Sequence, residues 1–461
     1  MNRTRTAAAA LAAAGILSAT AACSGGGQTP GSASAATGTA AAALPSTPPG
    51  VQARWLLGAI EHQPIPAAAI TAHFDQVFLA KIPPAQLNAV LAHVTSLRLD
   101  TILTSTSEFV ALAVTDNGQP QTVSVSVDVH GLINGLGLAP AAPPPVFTVP
   151  TTWAAVDRQI QQAAPQTRLL VARVTGGGCQ TVHAVDATTP APLGSAFKLY
   201  VLDALGSAVA SGKVRWNQPL TITAQLKSLP SGELQDQPDG TQISVQDTAA
   251  KMISISDNTA ANMLINLVGR PAVEAALTTT GMADPALDRP FLTTRELFIL
   301  KLDQWPALAD RYIAANQAGR QALLASTIDR APLPAVAAAQ AWTTPRDINS
   351  LEWFASANDI CRAYTSLAAL ARRPGLSPIG QVLSLNDGGL QLDPAQWKTT
   401  WFKGGSEPGV LTLTYLATTR TGQSYVVTVL AENPSQPINE ATAAPVMLSA
   451  IKGAFTLAAR R

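Results

Sequence analysis

The chain has 461 residues, which is enough for two or three domains. Its 30 basic and 29 acidic side chains leave a net charge of +1 with histidine neutral, so charge gives no reason to expect a nucleic acid partner. Hydrophobic residues make up 47% and charged residues 13%, which excludes a chain that is disordered throughout.

The N-terminus has the pattern of an export signal, predicted over residues 1–22. Arg3 and Arg5 precede an apolar run at 7–19 that is too short to span a bilayer. Small residues then lead to Cys23, as in a bacterial lipobox. We therefore predict that Cys23 is lipidated and anchors an exported chain to the outer side of the cell membrane. An ordinary signal peptide with a chance cysteine is the alternative.

A linker and a small domain follow. Residues 23–50 begin with this cysteine and continue as an uncharged Gly-, Ser-, Ala-, Thr- and Pro-rich stretch, which predicts a flexible linker. Residues 51–138 show helical spacing and then strand patterns joined by an Asn-Gly turn at 117–118, which predicts a small α+β domain. A Pro- and Ala-rich spacer at 139–152 separates this domain from a larger one at 153–461.

The larger domain has strand patterns at both ends and helical patterns between them. In chain order, we predict strands at 168–174 and 181–185, helices at 195–211 and 248–268, strands at 399–403, 411–418 and 424–431, and a final helix at 440–459. This order predicts a sheet in which the first and last strands come together, covered by helices.

Ser195 and Lys198 form an S-x-x-K motif, which on a helix places both side chains on one face. A partly desolvated lysine loses its proton readily and can activate a serine as a nucleophile. His183 is the single histidine of the larger domain, and the sequence has neither H-E-x-x-H nor G-x-S-x-G. We therefore predict lysine as the base, and no metal or other cofactor.

Two more motifs follow in order: Ser256-Asp257-Asn258, at a polar break in a helical pattern, and Lys403-Gly404-Gly405, at the end of a strand. With the S-x-x-K motif, they resemble the three-motif signature of class A serine β-lactamases and penicillin-binding proteins. The resemblance covers roughly residues 153–461. It implies a serine β-lactamase-like α/β domain with an antiparallel sheet flanked by helices, within a chain that is α+β overall.

The resemblance also implies a role for each matched position. Ser195 would be the acylated nucleophile, Lys198 its base, and Ser256 the relay that passes a proton to the leaving group. The N–H groups of Ser195 and Ser406 would form the oxyanion hole. The implied substrate-binding positions are Asn258, Lys403, Gly405 and Ser406. Asp257 is predicted to cap backbone groups in its loop.

The sequence departs from the family pattern at two positions. Gly404 lacks the hydroxyl that the third motif usually carries. Phe291 stands where class A enzymes have the glutamate that activates the deacylating water, so we expect slow β-lactam turnover. Among nearby carboxylates, Glu296 is predicted to be solvated or paired, and Glu407 to line the rim of the site. An extra span at 307–339 is predicted to shape or cover the cleft.

The layout of the two domains resembles the esterase-like proteins of clavulanic acid gene clusters and related actinobacterial lipoproteins. That resemblance implies a cystatin-like (steroid-isomerase-like) fold for the first domain. We predict an exported serine hydrolase that acts on a small ester or β-lactam-like acyl substrate, with weak β-lactamase activity at most. A DD-peptidase-like cell-wall acyl transferase and a non-catalytic binding lipoprotein remain alternatives. The sequence leaves open whether Cys179 and Cys361 pair.

Overall fold

The computed structural model describes residues 44–45, 47–94, 96–105, 109–128, 130–140, 148–176 and 178–460. The predicted signal segment, Cys23 and most of the predicted linker lie outside the described residues, so their assignments stay predictions.

The first domain packs helices against an antiparallel sheet. Its helices are α1 Pro48–Ile60, α2 Ala67–His73, α3 Gln76–Lys81 and α4 Pro84–Leu91. Its strands are β1 Leu97–Ser105, β2 Phe109–Asp116, β3 Gln119–Val127 and β4 Ile133–Pro140, hydrogen-bonded in that order. Asn117 and Gly118 both have positive φ, as a tight hairpin between β2 and β3 requires. The predicted helices followed by a meander are therefore present.

The limits of the first domain differ from the predicted ones. Helix α1 begins at Pro48, inside the predicted linker, because proline fits the first turn of a helix. Strand β4 was not predicted, since its two glycines weaken the strand pattern, and it extends the sheet into the predicted spacer. The likeness to a cystatin-like fold stays a prediction.

The second domain is built around a larger antiparallel sheet. Its strands are β5 Gln166–Thr175, β6 Gly178–Val185, β7 Ala191–Pro192, β8 Pro219–Thr221, β9 Gln242–Ser244, β10 Phe354–Ala355, β11 Trp397–Glu407, β12 Val410–Thr419 and β13 Ser424–Glu432. Its helices are α5 Trp153–Ile160, α6 Lys198–Ala210, α7 Val245–Ser254, α8 Asn258–Val268, α9 Arg270–Thr279, α10 Thr294–Leu302, α11 Ala307–Ala314, α12 Gln317–Leu323, α13 Val336–Gln340, α14 Ala357–Ala371, α15 Pro378–Leu383 and α16 Glu440–Ala459.

Within the described residues, the main sheet has the order β11-β12-β13-β5-β6, so the last strand pairs with the first as predicted. Helices α5 and α16 cover one face and contribute to one hydrophobic core. The helices between β6 and β11 build the other core, on the opposite face. By length and composition α16 is able to cross a membrane, but two thirds of its apolar window is buried within the protein, so here it is a core helix.

Two predicted helices are wrong in detail. The helix expected from Ser195 starts with a 3-10 turn, Gly194–Phe197, and becomes α-helical only at Lys198. The helix expected at 248–268 is divided into α7 and α8. The division lies at Ser256, whose φ of +57° is incompatible with a continuous helix. The structure also pairs Cys179 of β6 with Cys361 of α14 in a disulfide, which answers the question the sequence left open.

Candidate active site

The nucleophile unit forms where the 3-10 turn meets α6. Side chains three residues apart eclipse one another in a 3-10 turn, and this places Lys198 directly beside Ser195. The Nζ atom of Lys198 lies 2.9 Å from Ser195 Oγ. Lys198 is fully buried, whereas Ser195 lines an open cavity. The predicted pair is therefore formed, by a tighter turn than the predicted α-helix.

Lys198 also connects the first motif to the second. Its Nζ donates to Ser256 O at 2.5 Å and to Asn258 Oδ1 at 2.7 Å, and lies 3.1 Å from Ser256 Oγ. The Nδ2 group of Asn258 donates to Leu229 O at 3.1 Å, which fixes the orientation of that amide. Asn258, predicted to bind substrate, thus also holds the lysine in place.

Ser256 lies between two lysines. Its Oγ is 3.0 Å from Lys403 Nζ on the side opposite Lys198. The left-handed backbone of Ser256 is uncommon for a non-glycine residue, and Ser231 Oγ supports it by donating to Ser256 O at 2.8 Å. Burial lowers the pKa of Lys403 to about 7, so this lysine changes charge near neutral pH. Such a position suits a hydroxyl that relays protons.

Asp257 has the structural role that was predicted. Its Oδ1 accepts from Ala260 N at 2.8 Å and so caps α8. Its Oδ2 accepts from the N–H groups of Glu233 and Leu234 at 2.8 and 2.9 Å, and the residue is fully buried. These bonds tie the loop of the second motif to the 3-10 turn at 234–236.

The third motif brings β11 against the nucleophile turn. A Cβ atom on Gly405 would lie 2.2 Å from Leu193 O and 2.5 Å from Ser195 N, so a side chain has no room there. A Cβ on Gly194 would likewise lie 2.9 Å from Ser406 N. The two glycines allow the backbones to approach closely, and the N–H groups of Ser195 and Ser406 come from these adjoining segments, as an oxyanion hole needs.

Gly404 belongs to a different packing arrangement. A Cβ on Gly404 would lie 2.8 Å from the Phe402 ring, and one on Gly388 would lie 2.5 Å from the same ring. The ring of Phe402 therefore fills the space around both glycines, stacks on Tyr415 and lines the cavity. The hydroxyl expected at this position in the family is thus replaced by an apolar surface.

Phe291 lies in an aromatic cluster behind the nucleophile turn. Its ring is fully buried and meets the Phe197 ring edge-on, with centroids 5.8 Å apart. Trp353 stacks on Phe197 at 3.7 Å and its ring centroid lies 6.4 Å from that of Phe291. Of the nearby carboxylates, Asp288 accepts a hydrogen bond from Phe354 N. Glu296 forms an ion pair with Arg270, which is one of the two environments predicted for it. Neither is among the described residues that line the cavity.

The cavity at Ser195 has a volume of about 650 Å³ and is shared by both domains. Asp128 and Asn134 of the first domain line it, and His130 Nδ1 lies 2.8 Å from Asp236 Oδ1 across the domain boundary. Of the span at 307–339 that was predicted to shape or cover the cleft, only the last residue, Ala339, is among the described residues that line the cavity, so a role for the rest of the span stays a prediction.

Sequence reasoning missed one charged cluster in this cleft. Glu352 and Glu407 both line the cavity and share Lys301 as a buried cationic partner. Glu407 was expected only at the rim, and the other two residues were not singled out. They lie on segments far apart in the chain with no local motif, so the sequence carries no signal that joins them.

Two parts of the chain match known protein families. The β-lactamase enzyme family model matches residues 153–360, and a second model, ORF 12 gene product N-terminal, matches residues 44–133. No curated protein matches the chain. Among solved structures, a β-lactamase from Sphaerobacter thermophilus is 20% identical, with 66% of this chain and 97% of that one covered and a TM-score of 0.46. PBP-A is 19% identical, with 67% and 99% covered and a TM-score of 0.43.

A β-lactamase from Chitinophaga pinensis is 15% identical, with 67% of this chain and 98% of that one covered and a TM-score of 0.45. The matched family region includes the nucleophile turn and the loop of the second motif. In the structure, Lys198 of the nucleophile turn contacts both Ser195 and Ser256, and Lys403 of the third motif contacts Ser256 from the other side. Residues 153–360 of the second domain thus match the serine β-lactamase-like family.

Proposed function

We propose that the protein is an exported, lipid-anchored serine hydrolase that is acylated at Ser195 by an ester or a β-lactam-like acyl compound. One observation carries the proposal: the buried Nζ of Lys198 lies 2.9 Å from Ser195 Oγ and 3.1 Å from Ser256 Oγ. A neutral lysine at this position can take the serine proton as Oγ attacks the acyl carbonyl carbon. Ser256 then passes a proton to the leaving group.

The oxyanion of the tetrahedral intermediate would be held by the N–H groups of Ser195 and Ser406. Each such donor is worth about 10²–10³ in rate in other acyl-transfer enzymes. When the bond from the carbonyl carbon to the leaving group breaks, the acyl group stays on Ser195 Oγ. The close approach that Gly405 allows between strand and turn supports this arrangement.

The lining of the cavity favours an uncharged ester over a carboxylate-bearing β-lactam. Among the described residues that line it, Lys403 is the one basic side chain. The acidic side chains that line it are Asp128, Glu352, Glu407 and Glu440. The apolar ring of Phe402 occupies the space beside Gly404, where a hydroxyl would help to bind a substrate carboxylate. These features support weak β-lactamase activity at most.

Export and anchoring are part of the proposal. The disulfide between Cys179 and Cys361 supports export, because such bonds persist in oxidising compartments. Lipidation at Cys23 is tested by expressing the full chain and a Cys23→Ala variant in a bacterial host and separating the membrane fraction. We expect the full chain in the membrane fraction and the variant outside it. An equal distribution of the two contradicts the anchor.

The hydrolase is tested by turnover of p-nitrophenyl acetate and of a fluorescent penicillin, with Ser384→Ala as a control at an exposed serine. We expect the ester to turn over faster than the penicillin, and Ser195→Ala to lose both activities. Faster penicillin turnover contradicts the ester preference. Transfer or cleavage of a D-Ala-D-Ala peptide would indicate the cell-wall acyl transferase instead. No adduct and no hydrolysis with any of these would indicate a binding protein.

A further inference from the structure

A buried cluster of two glutamates and one lysine adjoins the nucleophile. Lys301 comes from the end of α10, Glu352 from the segment before β10, and Glu407 from the end of β11. Their side chains are 0%, 0% and 7% exposed. Lys301 Nζ contacts Glu407 Oε1 closely and lies 3.5 Å from Glu352 Oε1. Burying each of these charges costs free energy, so packing alone does not explain why a lysine and two carboxyl groups are placed together in the cleft.

The two glutamates reach the cavity from segments that border the nucleophile turn. Trp353, next to Glu352, accepts a hydrogen bond at its carbonyl from Leu193 N at 2.9 Å. Ser406, next to Glu407, has its N–H group against Gly194. Each glutamate is thus one residue from a backbone contact with the segment 193–194, immediately before Ser195. Both line the same cavity as Ser195.

The charges of the cluster do not balance if both glutamates are ionised, so a shared proton is favoured. Burial raises the pKa of Glu407 well above its usual range, and the charge and hydrogen bond of Glu352 raise it further. Lys301 opposes this rise. Arg346 donates to Lys301 O at 2.6 Å and so brings a positive charge beside the cluster, whereas Lys403 lies four residues away along the same strand. Glu407 therefore becomes a carboxylate only at a pH above the ordinary range for glutamate.

We propose that Glu407, held by Lys301 and Glu352, is the general base that activates water to release the acyl group from Ser195. The inference rests on the proposed function. The oxygen of water bonds to the acyl carbonyl carbon while one of its protons passes to a Glu407 carboxylate oxygen. The bond between that carbon and Ser195 Oγ then breaks, and the proton returns to Oγ. A carboxylic acid and the free serine result.

This assignment accounts for the missing glutamate of the loop. Phe291 fills that position with a buried ring, and neither Asp288 nor Glu296 is among the described residues that line the cavity. Glu407 offers a carboxylate from the strand that carries the third motif. The lysine partner and the second carboxyl group keep it fixed, which a general base needs if it is to act at one point of the cavity.

The test measures acylation and release separately, by intact mass after brief loading with p-nitrophenyl acetate and with a fluorescent penicillin. For Glu407→Gln we expect acylation within about 2-fold of wild type and release slowed by about 10²–10⁴-fold. Glu296→Gln removes an equally buried, paired carboxylate outside the cavity and should leave both rates within about 2-fold. In Glu407→Gln, the carboxylate of Glu352 still faces Lys301. In Glu296→Gln, the new amide can still accept a hydrogen bond from Arg270. Both features favour folding of the variants.

The pH profile provides a second test that a purely structural role would not affect. Release should rise with pH as Glu407 ionises, and Glu352→Gln should move the midpoint of that rise to lower pH by removing a like charge. If Glu407→Gln releases the acyl group at the wild-type rate, or if the midpoint does not move in Glu352→Gln, the role of Glu407 is contradicted while the proposed function still stands. Absence of both an adduct and hydrolysis in wild type contradicts the proposed function, and the role of Glu407 with it.

Discussion

Substitution of Gly405 by alanine tests how the strand and the nucleophile turn fit together. The new Cβ atom would lie 2.2 Å from Leu193 O and 2.5 Å from Ser195 N. Both are backbone atoms of a buried turn, so they cannot rotate away as the end of a side chain does. Carbon and oxygen need more than 3 Å, so strand and turn must separate by about 1 Å, a displacement that can cost 10²-fold in rate.

We therefore expect Gly405→Ala to slow acylation of Ser195 by about 10²–10³-fold, the loss seen when one oxyanion donor is removed. Overpacking of this kind should also cost about 1–3 kcal/mol in the free energy of unfolding. The assay is the rate of adduct formation under single-turnover conditions, with denaturant unfolding measured in parallel to separate the two effects.

The neighbouring glycine provides the matched control. A Cβ on Gly404 would lie 2.8 Å from a Phe402 ring atom, which can shift, and 3.2 Å from Thr412 O, a milder backbone contact than the 2.2 Å one at Gly405. Gly404→Ala should therefore slow acylation far less than Gly405→Ala. If Gly405→Ala acylates within about 3-fold of wild type while remaining folded, strand and turn do not form the oxyanion hole, and this reasoning fails.

Three other predictions concern charge, the disulfide and the aromatic cluster. Because burial lowers the pKa of Lys403 to about 7, its positive charge is present below that pH and lost above it. The ratio of kcat/KM for an anionic hemisuccinate ester to that for the neutral acetate ester should fall as pH rises through 7, and a flat ratio contradicts this. Reduction of the Cys179–Cys361 disulfide, which spans 182 residues, should lower the free energy of unfolding by up to about 5 kcal/mol in denaturant titrations. A loss below about 1 kcal/mol would contradict the expectation that the disulfide stabilises the protein by restricting the unfolded chain. Phe291→Ala should cost about 3–5 kcal/mol by the same measurement, because its ring is fully buried, while a loss below about 1 kcal/mol would place the ring outside the core.

The sequence was informative wherever chemistry depends on neighbours in the chain. The spacing of Ser195 and Lys198, the capping role of Asp257 and the pairing of the terminal strands β13 and β5 were all accessible to local pattern and order. The polar break at Ser256-Asp257-Asn258 was visible in the sequence, but one helix was predicted across it because apolar residues continue on both sides, and the structure ends α7 and starts α8 there. The 3-10 turn at 194–197 was missed because 3-10 and α turns share the same residue spacing at i and i+3.

The remaining features depend on contacts between distant segments. The cluster of Lys301, Glu352 and Glu407 is assembled from positions more than fifty residues apart, each of which is ordinary in its local sequence. The disulfide, with its separation of 182 residues, is of the same kind. Residues such as Asp128 of the first domain reach the cavity only through the packing of one domain on the other.

The central claim is that Ser195 is the acylated nucleophile and Lys198 its base. The most direct measurement is tandem mass spectrometry of peptides from the protein trapped with p-nitrophenyl acetate, for wild type, Ser195→Ala and Lys198→Met. We expect one acyl group, located on Ser195 in wild type and missing from both variants, because an unactivated serine hydroxyl is a weak nucleophile. An acyl group on Ser256, or one that persists on Ser195 at the wild-type rate without Lys198, would contradict the claim.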